Sequence, residues 1–235
     1  MILNVGYNID ISDILYHIPA MTSAPQTQED RVLSLLKRQG MARMSELSKE
    51  GITRATVGRM RKKGLVHQLS RGLYQLPDAA IDTHHTLAEA AKRVPKGVVC
   101  LVSALAYHEL TDTIPRSVWM AIGPKDRRPR ATQPPPLQVV RFSGKLFSDG
   151  IEEHTIEGVK VRIYNPAKTV VDLFRYRQSA GTRYKTSPGL TIALEGLREA
   201  LRQRKATPAK IAEYANEAGI WKVVQPYLEA MTANA

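Results

Sequence analysis

Directly after Gln28 the apolar residues Val32, Leu35 and Leu36 return at helical spacing, with Glu29 and Asp30 at the end where a helix dipole favours negative charge. Gly40 closes this first helix. Ser45 is placed to cap a short second helix that buries Leu47, and Gly51 stops it after Glu50. Thr53 caps a third helix over Arg54–Lys63, in which Val57 and Met60 fall three apart on one face. Gly64 ends it, and Leu65, Val66 and Leu69 open a strand. Ser70-Arg71-Gly72 turns the chain into Leu73-Tyr74-Gln75-Leu76, and Pro77 stops the returning strand. Three short helices followed by a two-stranded ribbon predict a winged helix-turn-helix over residues 29–78.

From residue 80 the pattern changes. His84 to Val94 reads as a helix with Leu87, Ala90 and Ala91 inward, and the continuous apolar run Gly97 to Val102 as a buried strand. Ser103 is placed to cap a helix through Leu110. Val118–Ile122 and Leu137–Phe142 are strands, and Ile151–Ile156 with Val159–Ile163 forms a hairpin around Glu157-Gly158. Pro166 opens a helix at its first turn. A helix from Leu190 carries Leu194, Leu197 and Leu201 on one stripe. Thr207-Pro208 starts another helix containing Ile211, Tyr214 and Ala215, and a last short one holds Val223, Tyr227 and Leu228. The expectation is an α+β protein. An N-terminal winged helix-turn-helix precedes a larger domain, residues 80–235, with a small mixed sheet and C-terminal helices, and residues 1–28 form an extension or disordered tail.

Composition narrows the classes. Within 235 residues 43% are hydrophobic, enough to bury a core in each of two modest domains. No stretch approaches the roughly 18 to 20 uninterrupted apolar residues that a membrane-spanning helix needs. Residues 1–28 lack the positive start of a secretion signal, and Asn8, Asp10 and Asp13 interrupt any apolar run there. The lone Cys100 excludes a disulfide framework and a cysteine-rich zinc site, which fits a cytoplasmic protein.

Charge carries more information. Lys and Arg number 34 against 22 acids, a net +12 and a pI near 9.9, which favours an anionic partner. The excess is uneven. Residues 29–76 hold eleven bases against four acids, a net +7, and the remaining 159 residues after them carry the same +7 over three times the length. Residues 1–28 have no base at all. Dense positive charge confined to a helix-turn-helix is the footprint of a nucleic-acid-binding module.

With Val57 and Met60 turned to the core, Arg54, Thr56, Arg59 and Lys63 lie towards the other side of the third helix. Long cations there reach phosphates and the O6/N7 edge of guanine when the helix enters a major groove. Arg71 at the ribbon tip suits a minor groove or a phosphate, and Arg43, Thr53 and Lys62 complete the candidate contacts to double-stranded DNA. The plainer reading of Arg61, Lys62 and Lys63 is a solvated helix end that favours the dipole. Gly123 to Pro136 is a proline-rich exposed arm or loop carrying Lys125, Arg127, Arg128 and Arg130. These four are candidates for a second set of phosphate contacts, beside their reading as a solvated loop.

Catalytic patterns fail on spacing. Ser103, His108 and Asp112 lie along one helix and its end and do not converge on a proton-transfer axis. Lys168-Thr169 follows Tyr164-Asn165-Pro166-Ala167, where no glycine allows a loop of free amides, and Asp172 suits a local pair with Lys or Arg. His84-His85 lacks further ligands at metal spacing, and no acidic residue is followed two positions later by Lys, so the usual acid-x-lysine signature of metal nucleases is absent. Cys100 sits in an apolar run and reads as core. No catalytic residue, metal or cofactor is expected.

Several segments together resemble the AbiE-type antitoxins of type IV toxin–antitoxin systems. They are Val32-Leu33-Ser34-Leu35-Leu36 with Gly40-Met41-Ala42-Arg43, Glu46-Leu47, Gly51-Ile52-Thr53-Arg54-Ala55-Thr56 and Arg71-Gly72-Leu73-Tyr74-Gln75-Leu76. The resemblance continues through Pro95-Lys96-Gly97-Val98-Val99-Cys100-Leu101, Ser103-Ala104-Leu105, His108-Glu109-Leu110-Thr111, Pro166-Ala167-Lys168-Thr169-Val170-Val171-Asp172 and Pro226-Tyr227-Leu228-Glu229-Ala230. It implies a phage-defence regulator that binds repeats at its own promoter through the winged helix and represses its operon. The C-terminal domain would counter a nucleotidyltransferase-like toxin, without enzymatic activity of its own. By position, Arg54, Thr56, Arg59 and Arg71 take the DNA-contact roles. The stretch Gln178 to Gly189 is longer than the resemblance leads one to expect, and residues 1–28 have no counterpart. Two other readings stand beside this one: a stand-alone winged-helix regulator with an association or sensing domain, and a nucleic-acid-processing enzyme.

Overall fold

A computed structural model describes residues 27–129, 134–177 and 187–233. The extension read over residues 1–28 therefore lies almost wholly outside the described residues, as does most of the stretch between Gln178 and Gly189. The chain forms an α+β structure of two sheets and ten helices among the described residues.

The first helix, α1 (Gln28–Gln39), starts at a capping box: the Thr27 hydroxyl accepts from Asp30 N, and the Asp30 carboxylate accepts from Thr27 N at 3.1 Å. The Thr27 hydroxyl, which also donates to the Asp30 carboxylate at 2.6 Å, and then the Thr27 backbone N–H hold the Asp30 carboxyl below its usual range. Gly40 ends the helix at φ 64°. A three-residue strand then follows, β1 (Met41–Arg43), which the apolar pattern is too short to reveal. Helix α2 (Met44–Lys49) is capped by Arg43, whose N–H donates to the Glu46 carboxylate at 2.6 Å; Ser45 lies inside the helix and is exposed. The cap thus falls two residues earlier than the one expected at Ser45, because β1 delivers the chain directly into the helix. Helix α3 (Arg54–Lys62) begins at the expected Thr53 cap, with Thr53 Oγ1 accepting from Thr56 N at 3.2 Å. Strands β2 (His67–Ser70) and β3 (Leu73–Gln75) make the wing, and β1 pairs with β3 to give an antiparallel sheet in the order β1-β3-β2. Val32, Leu36, Leu47, Val57 and Met60 are the centre of this unit's core.

Helix α4 (His85–Arg93) leads into the larger sheet, built from β4 (Val98–Val99), β5 (Val118–Ile122), β6 (Leu137–Arg141), β7 (Ile151–Ile156) and β8 (Val159–Tyr164). Its order is β6-β5-β4-β8-β7, with β4–β8 and β5–β6 parallel and the other two pairs antiparallel. The sheet is covered on both sides, and the alternation along each strand assigns the sides. Val118, Met120 and Ile122 face α4, while Trp119 and Ala121 face the opposite layer. That layer consists of α5 (Leu101–Tyr107), α7 (Pro166–Tyr176), α8 (Gly189–Arg202), α9 (Pro208–Glu217) and α10 (Trp221–Thr232); a single turn, α6 (Lys145–Ser148), precedes β7.

Three local expectations shift. The apolar run from Gly97 is a strand only at Val98–Val99, and helix α5 begins at Leu101, which takes φ 48°. Ser103 is consequently inside that helix and not its cap; Cys100 holds the cap position. On α8 the leucine stripe is joined by small residues: Leu197 is buried, Leu194 and Leu201 pack half-buried against the same core, and Ala193, Gly196 and Ala200 are buried beside them. A Cβ on Gly196 would lie 2.7 Å from Leu105, so small residues set the close approach of α8 and α5.

The winged helix and the larger part share packing. Met41 and Leu73 of the wing sheet belong to the same buried cluster as Leu87, Ala91 and Val159. Lys92 on α4 pairs with Glu46 on α2 at 2.9 Å, and the Glu157-Gly158 turn presses on the end of α1.

Candidate nucleic-acid interface

Helix α3 carries bases and no acid, and its two faces divide cleanly. Val57 and Met60 are buried, whereas Arg54, Ala55, Arg59, Arg61, Lys62 and Lys63 are exposed. Arg54, Gly58 and Lys62 follow at four-residue spacing, with Ala55 and Arg59 beside them, so cations flank a strip of small residues on one outward face. Gly58 is the member that sequence reasoning passed over. It sits in mid-helix, where glycine is disfavoured, yet a Cβ there would meet nothing within 4 Å. The fold does not require glycine at that position.

The structure gives four candidates other placements. Thr56 does not lie on the outward face: it is 3% exposed, and its hydroxyl donates to Gln28 Oε1 at 2.6 Å. The same oxygen accepts from Thr53 N at 3.2 Å, so Gln28 on α1 fixes the first turn of α3. The outward placement failed because a helical wheel cannot see a partner 28 residues earlier in the chain. Lys63 is exposed but paired with Glu29 at 3.2 Å, which ties α3 to α1. Arg43 is half-buried and lines a groove of about 480 Å³ with Glu46, Lys92 and Lys160, between the winged helix and the larger part, not on the α3 face. Thr53 serves as the cap, and its side chain is turned to Thr56 and Gln28.

Arg71 stands exposed at the wing tip, where Gly72 at φ 74° makes the turn and its carbonyl accepts from Met44 N at 2.8 Å. Arg61, whose plainer reading is helix-end solvation, donates to Gln68 Oε1 on the wing. An open groove of about 660 Å³ runs between α3 and the wing, lined by Arg61, His67, Gln68, Arg71 and, from the proline-rich segment, Pro134.

The described parts of that segment, residues 123–129 and 134–136, are braced by arginines. Arg141, at the end of β6, donates to the carbonyls of Gly123, Pro124 and Asp126 at 2.8, 2.9 and 2.9 Å. Gly123 N donates to the Asp126 carboxylate at 2.8 Å, and Arg93 donates to the Pro135 carbonyl. Lys125, Arg127 and Arg128 are exposed on it, and a groove of about 540 Å³ gathers Arg93, Lys96, Arg127 and Arg128. Arg130 lies outside the described residues. Pro134 lines the wing groove, so this end of the segment lies next to the winged helix.

The catalytic candidates are occupied otherwise. Ser103 Oγ accepts from Trp119 N at 2.9 Å, His108 Nε2 bonds the Tyr164 carbonyl at 2.7 Å, and Asp112 is exposed. Lys168 and Asp172 form a fully buried pair at 2.5 Å, with the ammonium over the rings of Phe142 and Tyr164. Burial pushes Asp172 up to about 6 against the opposing pull of Lys168, and burial raises the Cys100 thiol as well. Among the described residues no group of three or more His, Cys, Asp or Glu is placed to hold a metal, and no helix is long and apolar enough to cross a membrane.

Fold and surface define a winged helix-turn-helix unit joined to an α+β body. Residues 30–77, the winged helix itself, match the family described as "Transcriptional regulator, AbiEi antitoxin". The crystal structure of RV2827C protein from Mycobacterium tuberculosis shares the fold, with a TM-score of 0.55 at 14% identity over 87% of this chain and 77% of that one. No curated protein matches the sequence.

Proposed function

We propose that this protein is a DNA-binding antitoxin that represses its own operon through the winged helix and counters a nucleotidyltransferase-like toxin through residues 80–235. One observation carries the DNA reading: α3 presents Arg54, Arg59 and Lys62 around Gly58, on an acid-free helix within the stretch that matches the regulator family. Inserted in a major groove, that face puts guanidinium forks at base edges and lets the helix backbone approach the duplex. Arg71 and the braced loop with Lys125, Arg127 and Arg128 add phosphate contacts, which position the protein without reading sequence. Such a protein works in the cytoplasm, at the nucleoid when bound.

The test is a gel shift on the protein's own upstream DNA across a salt series. Affinity should fall with a log–log slope of about −0.9 per neutralised phosphate. Arg54→Glu with Arg59→Glu should abolish the shift yet leave neutralisation of a co-expressed neighbouring toxin intact. An unchanged shift in that variant would overturn the DNA reading, and loss of neutralisation would overturn the division of labour.

A second reading is a stand-alone regulator whose larger part mediates association or senses a ligand. It draws on the family match ending at residue 77. Absence of a toxic neighbour relieved by this protein would favour it.

A further inference from the structure

A second basic surface lies on the C-terminal helices, on elements separate from the winged helix. A groove of about 690 Å³ runs along the ends of α8 and α10, and among the described residues every charged one lining it is an arginine: Arg198, Arg202 and Arg204. Its floor is apolar, with Leu201, Ala206 and Met231 among the lining. Arg202 is held by Glu199, Nη2 to Oε2 at 2.6 Å, whereas the guanidinium groups of Arg198 and Arg204 make no hydrogen bond or salt bridge among the described residues.

The backbone adds an independent observation. Arg204 takes φ 55° where the end of α8 closes, with Lys205 N and Ala206 N both donating to the Ala200 carbonyl at 3.0 and 3.2 Å. Glycine takes that left-handed conformation freely, and a residue with a Cβ is strained in it. Arginine here keeps a guanidinium at the groove rim at a cost to the fold. Strain of this kind persists only where the surrounding structure holds it, and it clusters at functional sites.

We infer that the groove docks an acidic peptide segment of a partner protein, an aliphatic side chain on the apolar floor and carboxylates on Arg198 and Arg204. Charge complementarity requires an acidic occupant. The floor favours a peptide over a nucleic-acid strand. Among the described residues no aromatic ring lines the groove on which bases would stack, and phosphates gain nothing from Leu201 and Met231. Met231, unbranched and polarisable, adapts to the inserted side chain. The inference does not depend on the DNA reading, since no lining residue belongs to the winged helix.

Fluorescence anisotropy with the full chain tests it. The probes are a labelled short peptide with one Leu flanked by Glu and Asp, the same peptide with Ser for Leu, and labelled oligothymidylate. Arg204→Gly removes the guanidinium and relieves the backbone, so its Tm should not fall. The double variant Arg198→Gln/Arg204→Gly should bind the acidic Leu peptide about ten-fold more weakly than the wild type, and the Ser peptide should bind the wild type about ten-fold more weakly. Failure of the acidic Leu peptide to bind, equal binding by the double variant, or equal binding of the Ser peptide would each overturn the inference. Oligothymidylate binding lost with the same arginines would assign the groove to nucleic acid instead.

Discussion

Gly40 and Glu157 meet backbone to backbone: the space that a Cβ on Gly40 would occupy is taken by the Glu157 carbonyl. The contact is reciprocal, since a Cβ on Gly158 would lie 3.0 Å from the Arg38 carbonyl oxygen. The Glu157 carboxylate also accepts from Asp82 N at 2.6 Å and meets His85 Nδ1 at 2.8 Å, tying the turn to the segment that leaves the winged helix. The hairpin turn of the larger part is therefore a fixed support for α1, and α3 is carried by α1 through Gln28 and Glu29.

Gly40→Ala should accordingly destabilise the protein by more than about 2 kcal/mol, combining left-handed strain with displacement of a packed turn. Gly219 is the matched control, because it also has positive φ, 67°, but nothing within 4 Å of an added Cβ. Gly219→Ala should cost only the strain, about 1 kcal/mol. Urea unfolding of both variants distinguishes the cases, and equal losses would show that the turn does not press on α1.

Gly58→Ala should separate stability from binding. Alanine gains about 0.5–1 kcal/mol in a helix interior, and the surrounding space is open. The variant should melt higher than the wild type and bind its upstream DNA more weakly, as read by thermal melts and gel shifts on one preparation. Equal or tighter binding would remove Gly58 from the interface.

The parts legible in the sequence are those set by near neighbours. Val32, Leu35 and Leu36 mark α1, Thr53 marks the start of α3, and Glu157-Gly158 marks a hairpin, because each signal lies within a few residues of its effect. What escaped depends on distant partners. Nothing near Thr56 announces that Gln28 will take its hydroxyl, nor near Lys63 that Glu29 will take its ammonium. β1 is three residues long and exists only because β3 pairs with it. The Gly97–Val102 run misled for another reason: apolar residues alone do not say where a buried strand becomes a buried helix. At the candidate interface the cations were readable from charge density, but the meaning of Gly58 needed the open space around it.

The buried pair offers a test of what holds the larger part together. Lys168→Met alone or Asp172→Leu alone leaves one charge unpaired in a site with both side chains at most 2% exposed, and each should cost about 3–5 kcal/mol. The double variant should recover most of that loss, since apolar replacement of a buried pair is often neutral. Denaturant midpoints of the three variants decide it. Additive losses would mean that Lys168 and Asp172 contribute independently.

His108 predicts a pH dependence with a definite sign. Burial holds its imidazole below the ordinary value of 6.5, opposed by the bond to the Tyr164 carbonyl and by Glu152; His154 and Lys205 reinforce burial. Lys205 Nζ also donates to the His108 carbonyl at 2.7 Å, and the Tyr107 ring packs against the imidazole with centroids 5.4 Å apart. The folded chain thus keeps His108 neutral where the unfolded chain protonates. The stability this contributes is fully present above the unfolded value, and it is lost as pH falls through the lowered folded value. His108→Gln retains a donor for the Tyr164 carbonyl and has no charge to gain. The stability of the variant should therefore decline less than that of the wild type between about pH 7 and pH 5. Chemical unfolding at the two pH values gives the comparison, and parallel declines would show that His108 titrates normally in the folded protein.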